Sequence, residues 1–462
     1  MVCRATLRAS PYPWGYSTTT AHTRSEEAAM LAGLVHEMIG SPQGLAVEAY
    51  DGSRAGPADD GAPVLVIVRP DAVARVVMRP GELGVARAWV AGDIDVRGDL
   101  WAAIGELEHF NGAQVPPSAV VQLLRHVGPS ALRRMPPPPE ESALRGRRHS
   151  KARDADSISH HYDVSNDFYR LFLGPTMTYS CAVFDGVDTP LDAAQEAKYE
   201  LICQKLGLAP GMRLLDIGCG WGGMVLHAAR HHDVVAVGVT ISEEQAELAR
   251  QRVAAAGLDG KVEIRVQDYR EVHDGPFDAI SSIGMFEHVG RAGVDDYTST
   301  LHRLVRPGGR VLNHAISRPP ARTSSGRLAR SRVTANRVAE ALGSSRATRV
   351  DSAFMDRYVF PDGELFEVGA VVTHLQAAGL EVRHVESLRP HYAQTLRHWV
   401  ANLEANWDEA VAMVGERRAR VWRLYMALSA RGFERGSIAV HQVLAVRPHP
   451  DGTDDLPLRP NW

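Results

Sequence analysis

The sequence is short of cysteine, aromatics and long apolar runs, and each shortage excludes something. Four cysteines in 462 residues (Cys3, Cys181, Cys203 and Cys219) are too few for a disulfide framework. Their spacing matches no zinc pattern, so no metal site is expected. They read as the reduced thiols of a cytoplasmic protein. No apolar run approaches the roughly 20 residues of a membrane span, and the first residues lack the apolar core of a signal peptide. Neither charge predominates: 51 basic against 55 acidic residues give a formal net charge of −4, which argues against a nucleic-acid partner. What remains, 45% hydrophobic and 23% charged, is the balance of a globular chain. Its length suits two or three domains.

Residues 1–24 read as a loose tail. A helical pattern over 25–39 puts Ala28, Leu31, Leu34, Val35 and Met38 on one face. A strand at 64–68 and a helix at 71–78 follow, and Asp99 is placed to cap a helix carrying Trp101, Ile104 and Leu107. These compose a small α/β accessory domain, 25–127, with no evident catalytic cluster. Residues 128–153 read as a semi-rigid linker, with prolines at 136–139 and then Arg145, Arg147, Arg148, Lys151 and Arg153. Its basic half is either solvated or a patch for anionic phospholipid headgroups.

From 154 to 462 strands alternate with helices: strands at 213–217, 234–239, 262–266, 277–283 and 309–314, helices at 224–231, 243–256 and 294–305. That is the pattern of an α/β, doubly wound Rossmann-like sheet, which binds ligands at the carboxyl ends of its strands. An insertion at 318–350 carries Arg322, Arg327, Arg330, Arg332, Arg337, Arg346 and Arg349 against one acid, Glu340. It reads as a surface excursion with a short helix near 333–342, either a plain loop or a lid that meets a membrane.

The strongest single pattern is Leu214-Leu215-Asp216-Ile217-Gly218-Cys219-Gly220-Trp221-Gly222-Gly223: an apolar strand ending in an acid, a glycine turn, then a helix. Gly218 and Gly220 let the backbone turn tightly against a ligand, and the helix start offers it free N–H groups. The spacing differs from the dinucleotide fingerprint Gly-x-Gly-x-x-Gly. It resembles motif I of the class I S-adenosylmethionine-dependent methyltransferases, in which the acid faces the methionine amino group. The second strand usually ends in an acid for the ribose hydroxyls; here it ends in Thr240-Ile241-Ser242, with Gln245 a turn on. Thr240 and Gln245 can hydrogen-bond hydroxyls without charge, while Ser242 fits a helix N-cap equally well. After the next strand come Gln267, Asp268 and Tyr269. Tyr269 can stack on a base and Asp268 accept its amino group, or both can be surface residues.

The array resembles one family, the cyclopropane-fatty-acyl-phospholipid synthases and their mycolic-acid relatives. The resemblance spans nearly all of 160–446 apart from the arginine-rich insertion. It rests on His161-Tyr162-Asp163-Val164-Ser165-Asn166-Asp167-Phe168-Tyr169, Tyr179-Ser180-Cys181-Ala182, the glycine loop with Trp221, and Gly238-Val239-Thr240-Ile241-Ser242. Then come Gly284-Met285-Phe286-Glu287-His288-Val289-Gly290, His314-Ala315-Ile316, Tyr358-Val359-Phe360-Pro361-Asp362-Gly363 and Tyr425. The resemblance implies a methyltransferase sheet. It also implies that Tyr179 and Ser180 close over the methionine end of S-adenosylmethionine. Asp216, Gly218, Cys219, Gly220, Trp221, Gly222, Thr240, Ile241, Gln245, Gln267, Asp268 and Tyr269 would line the rest of the cofactor site. It further implies a bicarbonate ion acting as bound general base, held by Cys181, Glu287, His314, Ile316 and Tyr425. Taken singly, Glu287 also fits a strand-end ion pair, His314 a core histidine, and Cys181 and Tyr425 core packing. Many relatives carry a cysteine four residues after Tyr425; Ser429 stands there, so a thiol nucleophile has no part.

The chemistry suits such a set. A cis-alkene is a weak nucleophile; taking a sulfonium methyl leaves a carbocation, which aromatic and apolar walls tolerate. A base must then remove a proton. Immediate loss closes a cyclopropane ring, whereas loss after a hydride shift leaves a methylene branch on the way to a 10-methyl acid. Related actinobacterial enzymes of the second kind resemble this chain in the N-terminal region and in Leu388-Arg389-Pro390-His391-Tyr392, which favours the methylene product and a reductase acting after it. The expected substrate is the unsaturated acyl chain of a phospholipid, met by a homodimer peripheral to the inner face of the membrane. Two readings are remoter: a non-catalytic lipid-binding protein, opposed by Asp216, Glu287 and His314, and a small-molecule methyltransferase, opposed by the presence of both Glu287 and His314 and by the basic stretches.

Overall fold

The computed structural model describes residues 30–79, 81–107, 117–128, 135–142, 164–320, 352–360 and 363–462. The N-terminal tail, most of the basic linker, His161-Tyr162-Asp163 and the insertion's arginines, with its expected helix near 333–342, lie outside these residues. The chain divides into two compact units, one within Met1–Met78 and Asp93–Met135, the other comprising Arg79–Gly92 and Pro136–Trp462.

In the smaller unit, strands β1 (Ala46–Ala49), β2 (Arg54–Ala55), β3 (Val64–Ile67) and β4 (Ile94–Arg97) form a sheet in the order β2-β1-β3-β4. Helices α1 (Met30–Met38) and α2 (Asp71–Met78) belong to this unit, as do α4 (Leu100–Leu107) and α5 (Pro117–Val127). Asp99 does cap α4, its Oδ1 accepting the N–H groups of Trp101 and Ala102 at 2.8 and 3.2 Å. The intervening helix α3 (Glu82–Val90) packs in the larger unit instead. Trp89 Nε1 donates to the Arg420 carbonyl, and Arg420 Nε donates back to the Trp89 carbonyl, so two buried polar groups satisfy each other.

The larger unit begins with α6 (Asn166–Leu173), whose N-cap Ser165 accepts the Phe168 N–H, and α7 (Leu191–Leu206). Strands β5 (Arg213–Ile217), β6 (Val235–Thr240), β7 (Val262–Val266) and β8 (Phe277–Ile283) alternate with α8 (Gly223–His231) and α9 (Glu243–Ala255); α10 (Gly290–Leu304) leads into β9 (Val305–Ser317). Helix α11 (Val368–Ala377) and strand β10 (Glu381–Ser387) follow. Then come α12 (Arg389–Ala405), α13 (Trp407–Val414), α14 (Glu416–Arg435) and strand β11 (Ala439–Val446). The seven strands run in the order β10-β11-β9-β8-β5-β6-β7. Pairing is parallel from β9 to β7 and antiparallel at β11. The sheet is therefore mixed, an antiparallel edge on a doubly wound parallel core.

Successive side chains point to opposite faces. Leu214, Ala236 and Leu312 enter the core cluster that holds residues of α7, α8 and α9, whereas Leu215, Val237 and Val311 enter the one that holds residues of α10 and α11. The chain leaves β5 for β6 and β7 on one side and returns to β8 on the other. The crevice at the β5–β8 carboxyl ends is thus a topological switch point. No described helix is long and apolar enough to cross a membrane.

Candidate active site

β5 delivers Asp216 to that crevice, and the glycine loop turns away from it. Gly218 and Gly220 hold φ of 76° and 53°, the left-handed region that glycine enters freely. The N–H groups of Gly218 and Cys219 donate to the Val239 carbonyl at 2.9 and 3.0 Å, tying the loop to the end of β6. Contact there is so close that a Cβ on Gly238 would stand 2.9 Å from Cys219 Sγ.

The loop opens into a cavity of about 310 Å³. Lining it are Tyr179, Ser180, Asp216, Gly218, Cys219, Gly220, Trp221, Thr240, Ile241, Gln245, Gln267, Asp268 and Tyr269. Of the expected cofactor residues Gly222 stays outside the lining; it is the left-handed N-cap of α8 and backs onto Ala249. Thr240 Oγ1 donates to Gln245 Oε1 at 2.9 Å, so the two uncharged polar groups form one unit, and Ser242 caps α9 by accepting the Gln245 N–H. The Asp268 carboxylate is engaged by Arg270, and the Tyr269 ring packs edge-on against Tyr297.

Asp216 is 2% exposed and accepts from Ser281 Oγ at 2.7 Å. Burial pushes its carboxyl up to about 6, against the opposing pull of Ser281 and Lys198. Lys198, fully buried on α7, donates to Ser180 Oγ at 2.8 Å. Burial lowers its ammonium to about 7, with the nearby Cys181 and Asp216 acting the other way. Lys198 stands in none of the motifs read from the sequence. A signal existed, since Gln195, Lys198, Ile202 and Lys205 recur at helical spacing on one buried stripe of α7.

A second set of buried polar groups lies beyond the cavity lining. Glu287, on a one-turn helix Phe286–His288, accepts the Ile316 N–H at Oε1, 2.7 Å away. Its Oε2 is buried with no hydrogen-bond partner among the described residues. Burial pushes the carboxyl up to about 7, the Ile316 N–H offsetting only part of that. The β9–β11 register sets Gln442 opposite His314. Lys205, paired with Glu386, can only donate, and it gives a hydrogen bond to Gln442 Oε1 at 2.7 Å. Gln442 Nε2 must then donate to His314 Nδ1, 3.2 Å away. His314 is thereby the neutral tautomer protonated at Nε2, an atom also buried without a described partner. Burial, then Lys198, Lys205 and His441, hold its pKa well below the ordinary histidine value.

The Cys181 thiol donates to the carbonyl oxygens of Ala182 (3.2 Å) and Leu388 (3.7 Å), and burial pushes its pKa up, which makes it inert as a nucleophile. Tyr425, on α14, accepts from the Tyr179 hydroxyl at 2.9 Å. Around Tyr179 the rings of Trp399, Tyr169, Trp422 and Phe172 stand 5.2 to 6.3 Å away, centroid to centroid. Trp221, its Nε1 donating to Asn166 Oδ1, lies 4.9 Å from Tyr169. Helices α6, α12 and α14 thus build an aromatic wall in which Tyr169 and Tyr179 belong to quoted motifs, while Phe172, Trp399 and Trp422 lie outside them.

Comparison with known proteins agrees with this geometry. Residues 149–443 match the family model of mycolic acid cyclopropane synthetase. A probable fatty acid methyltransferase of Mycobacterium tuberculosis is 44% identical over 425 residues, 90% of this chain and 93% of that protein. The tuberculostearic acid methyltransferase of the same organism is 37% identical over 410 residues, 87% of each. Among solved structures, a mycolic acid cyclopropane synthase complexed with SAH and CTAB superposes with a TM-score of 0.55 at 36% identity, covering 63% of this chain and 97% of that one. Strand order, glycine loop and these matches agree: the chain belongs to the mycolic acid cyclopropane synthetase family, with the S-adenosylmethionine-dependent methyltransferase fold.

Proposed function

We propose that the protein transfers a methyl group from S-adenosylmethionine to the cis double bond of unsaturated fatty acyl chains in membrane phospholipids, giving a 10-methylene branch. The observation that carries this reading is the pair of buried polar atoms without described partners, Glu287 Oε2 and His314 Nε2. Read together with the family match, such groups suit a reaction whose product must lose a proton. Alkylation of an alkene is such a reaction, because a cation remains.

S-adenosylmethionine, when bound, supplies the electrophilic sulfonium methyl. Asp216 faces its ammonium end, Tyr179 and Ser180 close over it with Lys198 holding Ser180, and Thr240 with Gln245 takes the ribose. Tyr269 provides a ring face for the base. The aromatic wall at Tyr179 stabilises developing positive charge without offering a basic group that could be alkylated.

With its pKa near 7, Glu287 is available as an acid, and in this reading its Oε2 and His314 Nε2 are the two donors offered to one small anion. Bicarbonate fits that donor set and would supply the base. In this reading Glu287 and His314 orient it, the Ile316 N–H and Tyr425 hydroxyl stand at its edge, and Cys181 fills space behind. In both possible products the proton leaves the transferred carbon; what differs is whether a hydride has first moved between the two former alkene carbons.

The extent of the matches supports the methylene branch. Relatives named fatty acid or tuberculostearic acid methyltransferases match 87–90% of the chain, N-terminal region included. Cyclopropane synthases match 62% of it. Proton NMR of lipids from an oleate-fed host lacking its own synthase tests the product. Vinylidene protons are expected, and upfield ring protons would mean a cyclopropane. A homodimer at the inner membrane face, with a reductase consuming the methylene product, completes the proposal.

A further inference from the structure

We propose that Glu200, Cys203, His227 and His232 form a binding site for one divalent metal ion of the zinc class, separate from the methyl-transfer cavity. Glu200 and Cys203 are one turn apart on α7; His227 lies on α8 and His232 just past its end. None of the four lines the cavity. Ligand atoms of Cys203, His227 and His232 all lie within 4.8 Å of one another. Glu200 Oε2 sits 3.2 Å from His227 Nε2 and 3.0 Å from His232 Nε2.

Those separations have a second meaning. Nitrogen and oxygen ligands bonded to tetrahedral zinc at about 2.0–2.2 Å stand about 3.3 Å apart. Two imidazoles already converge on one carboxylate oxygen at nearly that spacing, and the Cys203 sulfur approaches from the buried side. One thiolate and two imidazoles are already grouped, and the Glu200 carboxylate, outside that group but against both histidines, closes the set by a side-chain shift as the ion binds; such ligands suit zinc or cobalt and disfavour calcium or magnesium. As the sulfur–metal bond forms, the Cys203 thiol loses its proton to solvent. The ion would clip α7, which carries Lys198, to α8, which starts at the glycine loop, so its role is structural.

The test uses the full-length chain without a histidine tag, stripped with chelator and titrated with cobalt(II). One equivalent is expected to bind, with a thiolate-to-cobalt charge-transfer band in the near ultraviolet and the strong visible bands of a tetrahedral site. Cys203→Ser should lose the charge-transfer band, and His232→Ala should weaken binding at least tenfold while leaving S-adenosylmethionine binding unchanged. Zinc should raise the melting temperature of the unsubstituted protein but not of His232→Ala. Because His232 is only half-buried, that variant decides the matter even if Cys203→Ser fails to fold. No saturable cobalt band, or the same band in either variant, would overturn the proposal.

Discussion

Burial rather than side-chain type sets the behaviour of Glu287. Its carboxyl titrates near 7 in the fold against 4.5 as an ordinary glutamate. A pKa raised on folding contributes stability that is fully present below about 4.5 and is lost as pH rises through about 7. Stability measured by urea unfolding should therefore decline over that window in the native protein and stay flatter in Glu287→Gln. If the acid form holds the anion, kcat/KM should fall above pH 7, and Glu287→Gln, which keeps a donor, should lose that alkaline limb. At His314 the tautomer is the testable quantity. Gln442→Glu replaces a donor to Nδ1 with an acceptor, so the ring proton should move to Nδ1 and Nε2 should cease to donate. Loss of one such donor costs about 10²–10³-fold in kcat; nitrogen-15 NMR of the histidine ring would show the tautomer directly. Asp216, Thr240 and Gln245 were legible because they sit inside a local motif. Lys198 and Lys205 show only as members of a helical stripe, and Gln442 not at all, because what each buries against is set by packing rather than by a local motif.

At the scale of elements, close approach matters more than propensity. Gly238 is the point where β6 passes the glycine loop, and a Cβ there meets Cys219. Gly238→Ala should push the loop outward, lowering stability by about 1–3 kcal/mol as overpacking does. Calorimetry should show S-adenosylmethionine binding weakened alongside. Ser165→Ala removes the N-cap of α6 and should cost about 1 kcal/mol in chemical denaturation. Strands β5, β7 and β8 were readable from sequence to the residue, since each is a short β-branched or apolar-rich segment, alternating in β7, between turn residues. β9 is longer than its sequence suggests, because Pro307, Gly308 and Gly309 read as a break yet lie within the strand. β10, Glu-Val-Arg-His-Val-Glu-Ser, carries too much charge to be recognised as sheet until β11 pairs with it.

For the whole molecule, the net charge of −4 conceals two arginine-rich stretches, 133–153 and 318–349, that lie largely outside the described residues. If they meet a membrane, each basic residue contributes on the order of 1 kcal/mol at an anionic surface, and salt screens it. Activity on anionic vesicles should then drop as ionic strength rises, while activity on neutral vesicles should not; equal salt response on both would remove that role. Light scattering showing only monomers would reject the homodimer.

Sequence alone determined the sheet class, the glycine loop with Asp216, the uncharged Thr240–Gln245 unit and the family, because each is written in contiguous residues whose spacing carries its own physics. Tertiary structure decided everything that depends on charge taken out of water. It raised the Glu287 carboxyl to about 7 and set the His314 tautomer through a strand pairing 128 residues away. It also gathered Glu200, Cys203, His227 and His232 from two helices. Burial and register are properties of the packed chain, and no local pattern of residues encodes them.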